Sequence, residues 1–332
     1  MNASALNAKN KIPAPEWTTP IADALERVER TIESAADSSV DIASRISSYV
    51  FAAGGKRIRP SLVLLSVGIS GGSPEADEVI RMAAAAELIH TASLLHDDVI
   101  DSAVARRGVG TANSVWGNTI SVLGGDFLLS KAFCLLSDIA GSELVSVLSR
   151  AAVAMTESEM LQAVCENNVE SWRTEYWRII RGKTASLMGA CCESGAILSR
   201  ANAEARAALR AYGENLGVAF QIADDLLDIT GDPARTGKQI GSDLANGKFT
   251  LPVLLATKHE HFPKELVNGG RISLEQAREL AEFIIESGAA AETRQIAKTF
   301  ASQACEALEA FAPSPFKHSL QLLALSAAAR DF

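Results

Sequence analysis

Proline is absent between Pro74 and Pro233, and that interval is rich in Ala, Leu, Glu and Arg, with apolar residues recurring at three- and four-residue steps. This pattern excludes a sheet-based fold and predicts a pile of helices. Strand signals are sparse to match: β-branched alternation is rare, and Asn246-Gly247 lies in a charged loop rather than between alternating runs. Five cysteines (Cys134, Cys165, Cys191, Cys192 and Cys305) are an odd number without metal-ligand spacing. They read as small buried hydrophobes in a reducing compartment. The first 20 residues lack both a basic n-region and an apolar core and carry Pro13, Pro15 and Pro20, so neither a signal peptide nor a transit helix fits. No uncharged apolar run approaches the roughly 18 residues a membrane span needs, and a cytoplasmic protein is expected. A net charge of −9 excludes nucleic-acid binding by net attraction, so any anionic ligand must be met by local cations.

At 332 residues and 48% hydrophobic content, the chain has ample material for a core. Helices are predicted near 20–33, 38–52, 60–70, 75–101, 111–118, 121–138, 142–165, 170–198, 201–228, 250–257, 274–287, 290–309 and 315–330. Pro60 suits the first turn of its helix, and Gly54-Gly55 ends the one before. No linker composition divides the chain, which predicts a flexible arm over 1–19 and a single domain over 20–332. The segment 229–249, with Gly231, Gly237, Gly241, Gly247, Lys238 and Lys248, has the composition of a phosphate-facing loop.

Two copies of one acidic word stand out: Asp97-Asp98-Val99-Ile100-Asp101, and 127 positions later Asp224-Asp225-Leu226-Leu227-Asp228. On a helix the first and last carboxylates of each word share a face, roughly 6 Å apart along the axis. Unit charges about 5 Å apart repel by roughly 3 kcal/mol at an effective dielectric near 20, so a bare cluster destabilises its helix. One DxxxD pair is usually a solvated acidic face, but two DDxxD words flanked by bulky apolar residues call for a cation. Carboxylate oxygens without His or Cys suit Mg²⁺ shared with phosphate. Lys56 and Arg59 at a helix start, Arg106-Arg107, Arg181-Gly182-Lys183-Thr184, Lys238 and Lys248 form the complementary basic set. Two triplets carry −6, which three Mg²⁺ would neutralise.

The segments GGKRIRP, LIHTASLLHDDVID followed by ARRG, RGKTASL, and AFQIADDLLDITGDPARTGKQIGSDLANGKFTLP together resemble the all-trans, head-to-tail polyprenyl diphosphate synthases, in that family's order and from about residue 20 to near the C-terminus. The resemblance implies an all-α, isoprenoid-synthase-like helical bundle around a deep central cavity, usually a homodimer. It implies Mg²⁺-dependent condensation of isopentenyl diphosphate with an allylic diphosphate. By the same resemblance, Asp97, Asp98, Asp101, Asp224, Asp225 and Asp228 are the metal ligands. Arg106, Lys183, Thr184, Gln221, Lys238 and Lys248 contact the allylic diphosphate, with Lys183 and Lys238 counted among the catalytic groups. Lys56, Arg59, His90 and Arg107 form the isopentenyl diphosphate pocket; His90 takes that role through its motif alone, and His96 reads either as a support behind the ligand-contacting residues or as structural. Gly110 and Ser158 depart from the family pattern, where proline and glycine are usual.

Ala92 and Ser93 lie one helical turn before the first word, where short-chain members of the family carry an aromatic floor. An isoprene unit spans roughly 4–5 Å, close to one helix turn, so small residues here predict a product of about C30 to C50. The competing explanation for Ala92 is the Ala-rich helix itself, which leaves a farnesyl or geranylgeranyl product open. A long apolar product implies transient membrane contact at release. Other readings weighed are a non-catalytic partner in a two-chain synthase, an HD-type phosphohydrolase using His96-Asp97, and a terpene cyclase. The intact second DDxxD and the GGKRIRP segment argue against each.

Overall fold

A computed structural model describes residues 15–106, 108–139, 141–231, 239–268 and 272–329. Apart from one short hairpin, the regular structure of these residues is helical. The chain divides into two compact units, one comprising residues up to Ser149 with Cys191–Leu209 and Ala310–Leu320, the other Arg150–Ala190, Arg210–Glu309 and the segment from Gln321.

The first unit begins with a 3₁₀ turn, Glu16–Ile21, that buries Trp17 and Ile21, so ordered structure starts ahead of residue 20. There follow α1 (Ala22–Ala35), α2 (Asp41–Ala52), α3 (Ile58–Ile69), α4 (Asp77–Ile100), a hairpin of β1 (Ala105–Arg106) and β2 (Val109–Gly110), α5 (Ala112–Trp116), α6 (Asn118–Ser137) and the start of α7 (Ser142–Cys165). The α4 helix opens with Asp77 and Glu78 in its first turn, where carboxylates offset exposed N–H groups. From Met82 to Ile89 every residue is buried, because α1, α3 and α6 all pack on it. Four consecutive alanines, Ala83–Ala86, let those neighbours approach.

Its end is unusual. Ser102 takes the left-handed conformation (φ 50°), with Ser102 N–H bonded to Val99 O at 3.2 Å and Ala103 N–H to Asp98 O at 2.9 Å. This is a Schellman turn with serine where glycine is usual, at a cost of about 1 kcal/mol. The α6 helix is long and apolar enough to cross a membrane by length and composition. It carries Asp126 and Lys131, however, and Ser121, Gly124, Gly125, Leu128, Ala132 and Leu136 bury one face, so it serves as a packing partner of α4.

The second unit takes most of α7, then α8 (Val169–Ile180), the first part of α9 (Ser186–Leu198) and most of α10 (Ala203–Thr230). The short α11 (Ser242–Ala245), α12 (Leu251–Ala256) and α13 (Lys264–Asn268) lead to α14 (Leu274–Glu286), α15 (Ala289–Ala307) and the end of α16 (Pro315–Ala329). Trp172, Tyr176, Val218, Ile222, Phe249, Leu280 and Ile284 share its core. The continuous helix predicted over 170–198 is interrupted: Arg181–Ala185 form a π turn between α8 and α9. Such turns lack a strong sequence signature and gather at functional sites.

Close approach explains the π turn's neighbours. A Cβ on Gly217 of α10 would lie 2.4 Å from the Ala185 Cα, and one on Gly182 would lie 1.7 Å from Ser158 Oγ. Ser158, the departure from the family pattern, therefore packs directly against the residue before Lys183. Helix propensity alone favours Ala at position 217 by about 1 kcal/mol, but the obstructing atom is backbone and cannot swing away. Gly217→Ala is expected to destabilise the protein by about 2 kcal/mol, read as a lower denaturant midpoint; a midpoint at or above wild type would contradict this packing.

Candidate active site

Both acidic words lie near the C-terminal end of a long helix: Asp97–Asp101 on the last turn and C-cap of α4, and Asp224–Asp228 on the last two turns of α10, and carbonyls exposed in a last turn disfavour anions. In the first, Asp97 is half-buried, Asp98 buried and Asp101 exposed. Asp98 Oδ1 accepts from Arg106 Nε at 2.9 Å and Nη2 at 2.8 Å. The β1–β2 hairpin brings Arg106 back to the helix it has just left. Asn113 Nδ2 donates to Asp98 O at 3.2 Å and to Ala103 O at 3.1 Å, and Thr111 Oγ1 donates to Ala103 O at 2.6 Å. The turn after the word is thus braced by side chains. Arg107 lies outside the described residues. Lys56 is exposed, while Arg59 and His90 are half-buried. His96 Nε2 sits 3.1 Å from Val122 O and 3.3 Å from Asp126, bridging α4 to α6.

In the second word Asp224 is exposed, and Asp225 and Asp228 are buried. Asp225 accepts from Tyr176 Oη at 2.7 Å and Gln221 Nε2 at 3.0 Å. Gln221 in turn accepts from Thr184 Oγ1 at 2.7 Å, so the π turn is tied through one amide to the acidic word. Asp228 accepts from Ser242 Oγ at 2.6 Å and Asp243 N–H at 3.0 Å, anchoring the segment that follows 231–239. Lys183 pairs with Glu159 of α7 at 2.5 Å and reaches Gln162 at 3.5 Å. Lys248 is buried, its N–H bonded to Asp243 O at 2.9 Å. Lys238 lies outside the described residues.

Thr184, Gln221 and Asp225 are thereby brought together within the second unit, as Asp98 and Arg106 are within the first. Tyr176, Glu159 and Gln162 were missed by the sequence reading. Tyr176 was legible only as another core aromatic, since nothing in its spacing announces a hydroxyl aimed at a carboxylate 49 residues away.

Burial, above all, raises the Asp225 carboxyl to about 7; hydrogen bonds from Gln221 and Tyr176 oppose the shift, and nearby Asp243 and Asp224 add to it. Burial and the same carboxylate push the Tyr176 phenol well above its usual value. Among the described residues no three His, Cys, Asp or Glu side chains are gathered closely enough to hold a metal ion. Asp98, Asp225 and Asp228 are turned to protein donors, while Asp97 is half-buried and Asp101 and Asp224 are exposed; all six carboxylates offer oxygen only, the donor set of a hard cation.

A carboxyl whose folded pKa exceeds its unfolded value stabilises the fold while protonated. That contribution is complete below about pH 4 and is lost as pH rises through about 7. In metal-free protein the denaturant midpoint is therefore expected to fall between about pH 4 and about pH 7, and Asp225→Asn to flatten the fall. Identical slopes for the two proteins would refute the assignment.

Comparison with known proteins gives a consistent result. The polyprenyl synthetase family profile matches residues 40–283. The chain is 38% identical over 301 residues to octaprenyl diphosphate synthase of Escherichia coli (strain K12), covering 89% of this chain and 92% of that one. It is 36% identical over 306 residues to a short chain isoprenyl diphosphate synthase of Methanothermobacter thermautotrophicus, covering 89% and 93%. The crystal structure of a polyprenyl synthase from Caulobacter crescentus CB15, complexed with calcium and isoprenyl diphosphate, superposes with a TM-score of 0.90 at 35% identity, covering 96% of this chain and 98% of that one. The chain belongs to the polyprenyl synthetase family and is a prenyltransferase.

Proposed function

We propose that the protein condenses isopentenyl diphosphate head-to-tail with an allylic prenyl diphosphate, repeatedly, to an all-trans product of about C30 to C50. The observation that carries this reading is the placement of the acidic words. Each sits near the C-terminal end of a long helix, where clustered anions are locally unfavourable, and each has an exposed carboxylate, Asp101 or Asp224. Asp97, Asp98, Asp101, Asp224, Asp225 and Asp228 would hold Mg²⁺, three ions balancing their charge. When bound, Mg²⁺ supplies electrostatic stabilisation of the departing diphosphate, so that the allylic C–O bond ionises.

The chain's own groups do the rest. Lys183, Thr184, Gln221 and Lys248, with Arg106 and Lys238, bind the allylic diphosphate. Lys183 leaves Glu159 for the ligand, and Arg106 leaves Asp98, so each protein partner holds a cation in place until substrate arrives. Tyr176 and Gln221 keep the Asp225 carboxyl aimed. Lys56, Arg59, His90 and Arg107 bind isopentenyl diphosphate, whose double bond attacks the allylic cation. The proton then lost goes to the released diphosphate, so no side chain is required as base.

The protein acts as a cytoplasmic homodimer without nucleic acid. Exposed Val115, Val122, Leu123 and Phe133 on α5 and α6 support self-association through that face. The small Ala92 and Ser93 support a long product, as does similarity to an octaprenyl synthase. A short product is the second reading, favoured by similarity to a short-chain synthase of comparable identity.

Purified chain supplied with Mg²⁺ and both diphosphates is expected to form a long linear product unaided; no product would mean that a second subunit is required. Ala92 is 3% exposed, so Ala92→Phe needs a folding check alongside the product assay. In a folded variant the product is expected to shorten by several isoprene units, and an unchanged distribution would remove the argument from this position.

A further inference from the structure

Lys56 and Arg59 flank Arg57, a residue that passes in the sequence for one more charge in a basic run. Arg57 is the N-cap of α3 and lies in the left-handed region (φ 51°, ψ 41°). Residues other than glycine hold that conformation only where their surroundings impose it. Those surroundings are three helices. The guanidinium is folded inward, its side chain 15% exposed. Its Nε and Nη2 engage Glu29 of α1, the latter at 3.1 Å from Oε2, and its Nη1 reaches Glu87 of α4 at 3.2 Å. It also lies over the Phe51 ring of α2, 5.8 Å from the centroid. The Arg57 carbonyl accepts both the N–H of Ser61, at 3.0 Å, and its hydroxyl, at 2.8 Å, which starts α3.

Glu87 is only 4% exposed, and its Oε2 makes no hydrogen bond. An ion pair at that depth is a poor source of stability, because desolvation offsets the attraction; it is better suited to imposing one geometry. Gly54 and Gly55 precede the loop, and Gly54 takes a left-handed φ of 70°.

We propose that Glu29, Arg57 and Glu87 form a positioning clamp for the isopentenyl diphosphate pocket. By holding the backbone between Lys56 and Arg59, the clamp aims those two cations without touching the substrate. A cation aimed in advance binds with less ordering cost on ligand arrival, and the planar fork of arginine, unlike lysine, can hold two carboxylates at once. The inference rests on the reading of Lys56 and Arg59 as isopentenyl diphosphate donors.

The test is steady-state kinetics on purified Glu87→Gln, Arg57→Lys, Glu29→Gln and Lys56→Ala, each diphosphate being varied at saturating levels of the other, with melting temperatures recorded. Glu87→Gln and Arg57→Lys are expected to raise the KM for isopentenyl diphosphate about tenfold while leaving the allylic KM and kcat nearly unchanged. Glu29→Gln, at a half-exposed partner, is expected to give a smaller rise in the same direction. If Lys56→Ala raises that KM and the clamp variants do not, the clamp is wrong and the pocket stands. If Lys56→Ala has no effect, the pocket reading falls and the clamp with it. Equal rises in both KM values, tracking a loss of melting temperature, would reduce the clamp to a structural brace and overturn the proposal. Should Glu87→Gln not fold, a flat isopentenyl KM in Arg57→Lys and Glu29→Gln overturns it equally.

Discussion

Negative charge held where a helix repels it is the constraint on which this structure turns. Each acidic word lies near the C-terminal end of a long helix, and each is tolerated because at least one of its aspartates is assigned a fixed donor set. Asp98 has Arg106, returned by a hairpin; Asp225 has the Tyr176 hydroxyl and the Gln221 amide. The pairs differ in kind. Asp98 meets a full opposite charge. Asp225 meets neutral donors in a buried place, and so its proton is held up to about 7.

The same logic governs the cations. Lys183 is paired with Glu159 and Arg57 with two glutamates, so these two basic residues are given positions by carboxylates that are not themselves part of the acidic words. Pairing of this kind contributes little net stability at depth, but it removes the freedom of long flexible side chains. The backbone shows a parallel economy of space. Gly217 and Gly182 exist so that α10 and α7 can lie against the π turn, and that turn presents Lys183 and Thr184 from adjacent positions.

Much of this was legible in the residues. The helices over 142–165, 274–286 and 315–329 agree with their predicted ranges to within a residue, because amphipathic periodicity and capping residues are local signals. The acidic words could be recognised because their charges make no sense as ordinary helix surface. The π turn was not legible, since its hydrogen-bond shift leaves no compositional mark, nor was the 3₁₀ turn at Glu16–Ile21. Ser102 ending α4 in the left-handed region was hidden for the opposite reason: the residue is not the glycine the motif normally announces.

Sequence alone determined the helical class and the family, and it singled out two clustered carboxylate words and a complementary basic set as candidates for the chemistry, because those follow from residue type and spacing along the chain. Only tertiary structure decided how each charge is partnered: Asp225 with Tyr176, Lys183 with Glu159, Arg57 with Glu29 and Glu87. Those partners come from different helices, tens of residues apart, and the distance between two such side chains is set by how helices pack, which no local pattern encodes.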